Sequence, residues 1–155
     1  ILIYMNLLFN DLVRFIGFDF TPLTPVFAKS YDTNYCITQQ ITGFISMLTA
    51  IDMEPEAAVS FASRYAKMDF NKFDEYVKAS IEDFINLHNG LFSVNMSNNY
   101  SKEADLDPPT HSDDNTLILT DDAFIVPIIY PFGTIYFIVS SPADAESDST
   151  DTKEE

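Results

Sequence analysis

A chain of 155 residues that is 46% hydrophobic and 14% aromatic is too apolar to stay disordered, and it is long enough to bury the core of one domain. Eight Lys and Arg against 24 Asp and Glu leave a net charge of −16, which repels nucleic acid and anionic membranes and favours a partner with a basic docking surface. The single cysteine, Cys36, excludes an intramolecular disulfide and fits a reducing, cytoplasmic setting, and no apolar run has the length of a membrane-spanning helix.

The first five residues are apolar without a basic leader, and Asn6 and Asn10 break the apolar run, so the start does not read as a signal peptide. The chain begins at Ile1, which leaves open what precedes it. Apolar residues at Leu2, Ile3, Leu7, Leu8, Leu12, Val13, Phe15 and Ile16 predict a helix over 2–16 with one broad buried face, stopped at Gly17. Pro22 and Pro25 break regularity before an extended piece at 26–31. Strand-favouring residues then predict two strands, 35–42 and 44–51, about a turn at Thr42-Gly43.

Asp52 is placed to cap a helix over 56–68, with Pro55 in its first turn and Ala58, Phe61, Ala62, Tyr65 and Met68 buried. A link at 69–71 leads to a longer helix from Lys72, whose apolar face comprises Phe73, Tyr76, Val77, Ile81, Phe84, Leu87, His88 and Leu91. A glycine within a helix costs only about 1 kcal/mol, so this helix is expected to pass Gly90 and fray within 95–99. Ala79, Asp83, Asn86 and Gly90 share a lane on its solvent side, because neighbours three and four apart lie on one face. That sets an acid beside a primary amide, with a small residue at each end. Such a lane can hold a water and a phosphate, or be a plain solvated face.

Residues 100–114 read as a polar loop around Pro108-Pro109. Three strands come next, 116–119, 123–129 and 134–140, with Pro131-Phe132-Gly133 turning between the last two; Pro127 suggests an edge or a bulge. Six acids and one base over 142–155 read as an acidic disordered tail, leaving 1–141 as the domain. The order of elements predicts an α+β fold: an antiparallel sheet with long helices packed on one face.

Other chemistry-bearing residues read as structural. His88 points to the apolar side of its helix, as a core histidine would. His111 comes after Pro-Pro-Thr with no partner in sequence. Cys36 lacks a neighbouring base and reads as a small core residue. Asp113-Asp114 and Asp121-Asp122 lack the spacing and glycine of a calcium loop and read as loop acids. No serine sits in a nucleophile elbow, and no metal site is expected.

The pattern resembles the CheC/CheX/FliY class of chemotaxis phosphatases, and its CheX-like branch in particular. The resemblance covers about residues 5–140. It is carried by the hairpin segment Ile41-Thr42-Gly43-Phe44-Ile45-Ser46, then the alanine-rich helix Glu56-Ala57-Ala58-Val59-Ser60-Phe61-Ala62, then the acid-x-x-Asn helix with Asp83, Asn86 and Gly90. Leu106-Asp107-Pro108-Pro109-Thr110 and the closing hairpin around Pro131-Phe132-Gly133 complete it. The resemblance implies a homodimer that dephosphorylates the aspartyl-phosphate of a CheY-like response regulator. Asn86 would position the attacking water, and Asp83, in the family's glutamate position, would pair with the regulator's lysine. No cofactor is implied in this chain, the Mg²⁺ being expected on the regulator. Aspartate reaches about 1.5 Å less far than glutamate, and the family's further acid, four residues earlier, is Ala79 here. A catalytically weakened CheX-like domain, kept for dimerisation or regulator binding, is therefore the alternative. An unrelated α+β domain without enzymatic role is the third reading.

Overall fold

A computed structural model describes residues 2–111 and 116–141, so the expected acidic tail and Asp113-Asp114 lie outside the described residues. The elements run α1 (Leu2–Phe15), β1 (Thr21–Pro22), β2 (Val26–Asp32), β3 (Tyr35–Gly43), β4 (Met47–Met53), α2 (Pro55–Ala66), α3 (Glu75–Tyr100), β5 (Ala104–Leu106), β6 (Thr110–His111), β7 (Thr116–Tyr130) and β8 (Gly133–Ser140). The strands form one antiparallel sheet in the order β1-β7-β8-β4-β3-β5, with β2 also on β7 and β6 also on β3. The expected α+β fold is therefore the observed one. The larger core lies between the sheet and all three helices. A smaller cluster on other strand positions, around Cys36, Ala50, Ala123, Ile125 and Ile138, draws only on strands. No helix of the described residues is long and apolar enough to cross a membrane.

The long helix α3 starts where Asp74 accepts from the backbone N–H groups of Tyr76 and Val77, both at 3.1 Å. It ends at Ser101, whose left-handed backbone (φ 55°) lets the last amides close on Met96 and Ser97. Its 26 residues span about 39 Å, enough to carry one polar lane along the molecule's flank. Gly90 sits within it without interrupting it. Tyr76, expected on its apolar face, is exposed, and Ile85 and Asn89 face inward instead.

Helix α1 buries its apolar face as expected at Leu8 and Leu12, and at Ile16 just after it, with Leu7 and Phe15 packed against the core, but not along its whole predicted width. Leu2, Ile3 and Val13 are exposed, while Tyr4, Leu8, Asp11 and Leu12 are buried. The two polar members have partners on α3. Tyr4 donates to Asn89 Oδ1 at 2.6 Å, and Asp11 Oδ2 lies 2.7 Å from His88 Nδ1. Burial of a polar group is tolerated where it is hydrogen-bonded, so the Tyr4 hydroxyl and Asp11 share the face that Leu8, Leu12 and Ile16 bury.

Three other expectations shift. Asp52 does not cap α2: it ends up inside β4, and Glu54 occupies the N-cap with no side-chain hydrogen bond. Its carboxylate instead accepts from the Asn34 amide at 3.0 Å and the Tyr31 phenol at 2.9 Å, tying the β2–β3 connection to the sheet. The loop expected over 100–114 contains β5 and β6, which pair with the two halves of β3 on either side of Asp107-Pro108-Pro109. Gly43, at the end of β3, has φ +106°, and a Cβ there would lie 2.6 Å from the Glu103 carbonyl, so this approach requires glycine.

The two strands expected over 116–129 are one strand, β7, and Asp121-Asp122 belong to it and not to a loop. Its register against β2 jumps from Ala28↔Ala123 to Ser30↔Ile118, so extra residues of β7 are accommodated where the sequence suggested a break. Pro127 sits on this interior strand. Its carbonyl accepts from Leu23, on the side where β1 ends and β2 has not begun, and its own nitrogen faces the same gap.

Burial raises the pKa of Asp52 above the ordinary carboxylate value, against the opposing pull of its Tyr31 and Asn34 donors. Just above that ordinary value the folded state therefore binds more protons than the unfolded one, and this group's contribution to stability falls as pH rises through its folded pKa. Urea unfolding of the native chain and of Asp52→Asn across that window is expected to show a steeper decline for the native chain. Parallel curves would remove Asp52 as the source.

Candidate functional site

Asp83 and Asn86 lie one turn apart on α3 and both are exposed. With Ala79, Glu82 and Pro109 they line a depression of about 240 Å³. The lane expected from helical spacing is thus present, and its wall is the Pro-Pro-Thr segment, brought alongside by the short strands that flank it. Gly90 does not line this depression, and a Cβ added there would meet nothing within 4 Å. A second depression of about 250 Å³, which includes Tyr35, Lys78 and His111, shares Ala79 and Glu82 with the first. Glu75, Glu82 and Asp83 make the combined surface acidic, with Lys78 reaching Glu75 at 3.3 Å.

Asp83 is held from α2. The Tyr65 phenol donates to Asp83 Oδ2 at 2.6 Å, while the ring packs edge-on against Phe84 and Phe15. Burial, and then the carboxylate it serves, raise the pKa of this phenol, so it remains a donor at physiological pH. One carboxylate oxygen is thereby committed, and the other can accept from an incoming cation.

Asn86 is held from β3. Its Oδ1 accepts from Gln39 Nε2 at 2.8 Å, and the same nitrogen donates to the Asp107 carbonyl at 2.8 Å. Gln39 Oε1 accepts from Asn89 Nδ2 at 2.8 Å, and Asn89 Nδ2 also reaches Thr49 Oγ1 at 2.9 Å. Thr49 in turn donates to the Gln39 carbonyl at 2.8 Å. Gln39, Thr49 and Asn89 are fully or almost fully buried, so the exposed amide is the outer end of an internal polar network.

The remaining candidates take structural places. His88 is buried between Tyr4, Phe84 and Phe137, and its Nε2 has no hydrogen-bond partner. It is a core histidine that joins α3 to α1 through Asp11. Cys36 is buried, and burial pushes its thiol up to about 12, so it is not a reactive thiolate. His111 lies exposed in β6, not in a loop, with its ring stacked on Tyr35 at 4.8 Å. Among the described residues no three His, Cys, Asp or Glu side chains gather as a metal site.

Sequence reasoning did not find Gln39, Thr49, Asn89, Tyr4 or Tyr65. A signal existed for two of them. Gln39 interrupts the buried alternation of Ile37 and Ile41, and Asn89 repeats an amide three residues after Asn86. Nothing local marks Tyr65, which reaches Asp83 from another helix.

No family model and no curated protein matches this chain. Solved structures do match it in fold. A chemotaxis protein CheX from Desulfovibrio desulfuricans superposes with a TM-score of 0.74 at 12% identity, over 90% of this chain and 96% of its own. A CheC-like superfamily protein from Shewanella sp. PV-4 gives 0.76 at 16% identity, over 90% and 95%. A complex of CheX with CheY, BeF₃ and Mg²⁺ from Borrelia burgdorferi gives 0.71 at 18% identity, over 88% and 94%. The fold is that of CheX and CheC-like proteins.

If the phenol holds the carboxylate, a double-mutant cycle of Tyr65→Phe with Asp83→Ala is expected to give a coupling of about 0.5–1.5 kcal/mol in urea unfolding, the range for an intramolecular hydrogen bond. A coupling near zero would show that the pair is not formed. Because the space around Gly90 is open, Gly90→Ala is expected to raise stability by about 0.5–1 kcal/mol. A loss of stability would mean that the position is constrained.

Proposed function

We propose that this chain docks on a CheY-like response regulator and hydrolyses its aspartyl-phosphate, with Asn86 placing the attacking water and Asp83 pairing with a lysine of the regulator. The observation that supports this most directly is the joint exposure of Asp83 and Asn86 beside an open depression on a long, rigid helix. The Borrelia burgdorferi structure, in which a CheX is complexed with CheY, BeF₃ and Mg²⁺, supports the class of partner. The acidic surface around Asp83 suits a partner that presents ammonium groups.

The chemistry asks little of the enzyme beyond placement. Water attacks phosphorus in line, an O–P bond forms, and the acyl-phosphate P–O bond breaks to return the regulator's carboxylate. The water's proton leaves to solvent or to the released phosphate. A carboxamide does not titrate, so it orients that water equally well at any physiological pH. The metal belongs to the regulator in this reading, and a homodimer in the cytoplasm is the expected working form.

A second reading is supported by the aspartate itself. Asp83 is one methylene shorter than the family's glutamate, and Tyr65 draws one of its oxygens toward α2. A domain that binds the regulator without hydrolysing its phosphate would show these same features.

Phosphate loss from a phosphorylated CheY-like receiver separates the two. The native chain is expected to accelerate it, and Asn86→Ala to lose roughly 10²-fold of that acceleration, the order expected when an attacking group is misplaced. Asp83→Glu is expected to raise the rate if reach is limiting. Binding of the BeF₃⁻-loaded receiver without acceleration would favour the binding module, and absence of both would overturn the proposal.

A further inference from the structure

The polar network beneath α3 has a direction, and two backbone carbonyls set it. A carbonyl can only accept. Thr49 Oγ1 lies 2.8 Å from the Gln39 carbonyl, so its hydroxyl proton is spent there and its lone pair must accept from Asn89. The Asn89 amide therefore presents Nδ2 to Thr49 and to Gln39, and Oδ1 to the Tyr4 phenol. The second carbonyl, of Asp107, lies 2.8 Å from the Gln39 side chain and obliges the facing atom to be Nε2. Gln39 Oε1 then faces Asn89 Nδ2, which agrees with the orientation set independently from Thr49. The remaining N–H of Gln39 is directed at Asn86, whose facing atom must be Oδ1.

We infer that Gln39 is the positioning residue of the site: it holds the Asn86 carboxamide with its oxygen inward and its NH₂ outward, so that the tip offered to a partner is a two-proton donor matched to oxygen acceptors. This inference rests on the phosphatase reading for the identity of those acceptors. One N–H donated to the water's oxygen leaves that water a single lone pair for phosphorus. The other N–H reaches a phosphoryl oxygen. The two contacts would hold the water and the phosphoryl group at fixed positions relative to each other, and neither needs a titrating group.

Gln39 is suited to this role because it cannot turn. It is almost fully buried, and both its donors and its acceptor are occupied by neighbouring groups on α3 and the rim. The Asp107 contact also sets the Pro108-Pro109 wall, and the Asp107 amide closes on the Gln40 carbonyl at 3.0 Å. One strand residue thus places both the amide and the rim of the depression that it lines.

The test has two arms, one of which does not depend on activity. In the native chain, side-chain amide hydrogen exchange by NMR is expected to show the Gln39 and Asn89 NH₂ protons slowed at least ~10-fold relative to those of Asn86. In Gln39→Glu, read at a pH high enough to ionise the new side chain, the carboxylate accepts and no longer donates. Asn86 is then expected to turn its NH₂ inward and become the protected amide. Gln39→Met, which keeps the volume without a donor, is expected to leave Asn86 unprotected and serves as the second variant should the buried charge disturb folding.

In the kinetic arm, both variants are expected to lower kcat for receiver dephosphorylation by roughly 10²-fold. Affinity for the BeF₃⁻-loaded receiver is measured beside it, and because Gln39 also sets the rim some loss of affinity is expected; a loss of kcat several-fold larger than that loss is the split that general loosening of the fold does not produce. Protection of the Asn86 NH₂ in the native chain would overturn the inference. So would an unchanged kcat in both Gln39 variants while Asn86→Ala is inactive, and that outcome would leave the phosphatase reading intact. A native chain that binds the receiver without accelerating phosphate loss would defeat the phosphatase reading, while the exchange data would still decide the amide's orientation.

Discussion

The structure depends on one constraint: polar side chains buried between α3 and the sheet must find partners among themselves. Gln39, Thr49 and Asn89 are fully or almost fully buried, and each orphaned donor or acceptor there would cost about 1–3 kcal/mol. Their mutual hydrogen bonds avoid that cost only in one relative position of helix, strand and rim. Apolar contacts tolerate sliding, and a directional network does not. The network thus adds a directional tie to the rotation of α3 that its buried apolar residues already favour, with Asn89 inward and Asp83 and Asn86 outward.

Helix α1 reinforces the same choice. Tyr4 joins the network at Asn89, and Asp11 meets His88 one residue earlier on α3. Tyr4 and Asp11 lie two turns apart on one face of α1, and both reach adjacent residues of α3. The unpartnered Nε2 of His88 shows the compromise: the ring is oriented by Asp11 on one side and packed among aromatic rings on the other.

The fold was legible in the sequence because most elements satisfy local rules. The long helix had its apolar period, the β3–β4 hairpin its strand-favouring residues, and Gly43 and Gly133 their turns. Misreadings arose where burial was polar. Asp52 has the residue type of a cap and the environment of a strand interior, and only the long-range Tyr31 and Asn34 partners distinguish the two. Residues 100–114 looked like loop because β5 and β6 are three and two residues long and owe their strand geometry to β3. The exposed half of the site, Asp83 and Asn86, could be read from spacing along one helix. The buried half could not, because Gln39 lies 47 residues from Asn86 and Tyr65 lies 18 from Asp83, and no periodicity links residues on different elements.

The two exposed tips are prepared differently, and the difference divides their work. Asn86 is tied through an almost fully buried residue to two backbone carbonyls, so its orientation is settled before any partner arrives. Preorganisation of that kind acts on the placement of small groups, where errors of about 1 Å matter most. Asp83 is tied by a single phenol at a solvent-exposed position, and a charge pair formed there contributes chiefly to encounter and register. A shorter acid at this position gives up reach, but the phenol restricts the carboxylate before docking and so lessens the conformational entropy lost on pairing. In the proposed reading, a shorter acid would bear on how well a partner seats, whereas the orientation of the amide, which that reading assigns to Gln39, would bear on what happens once it has.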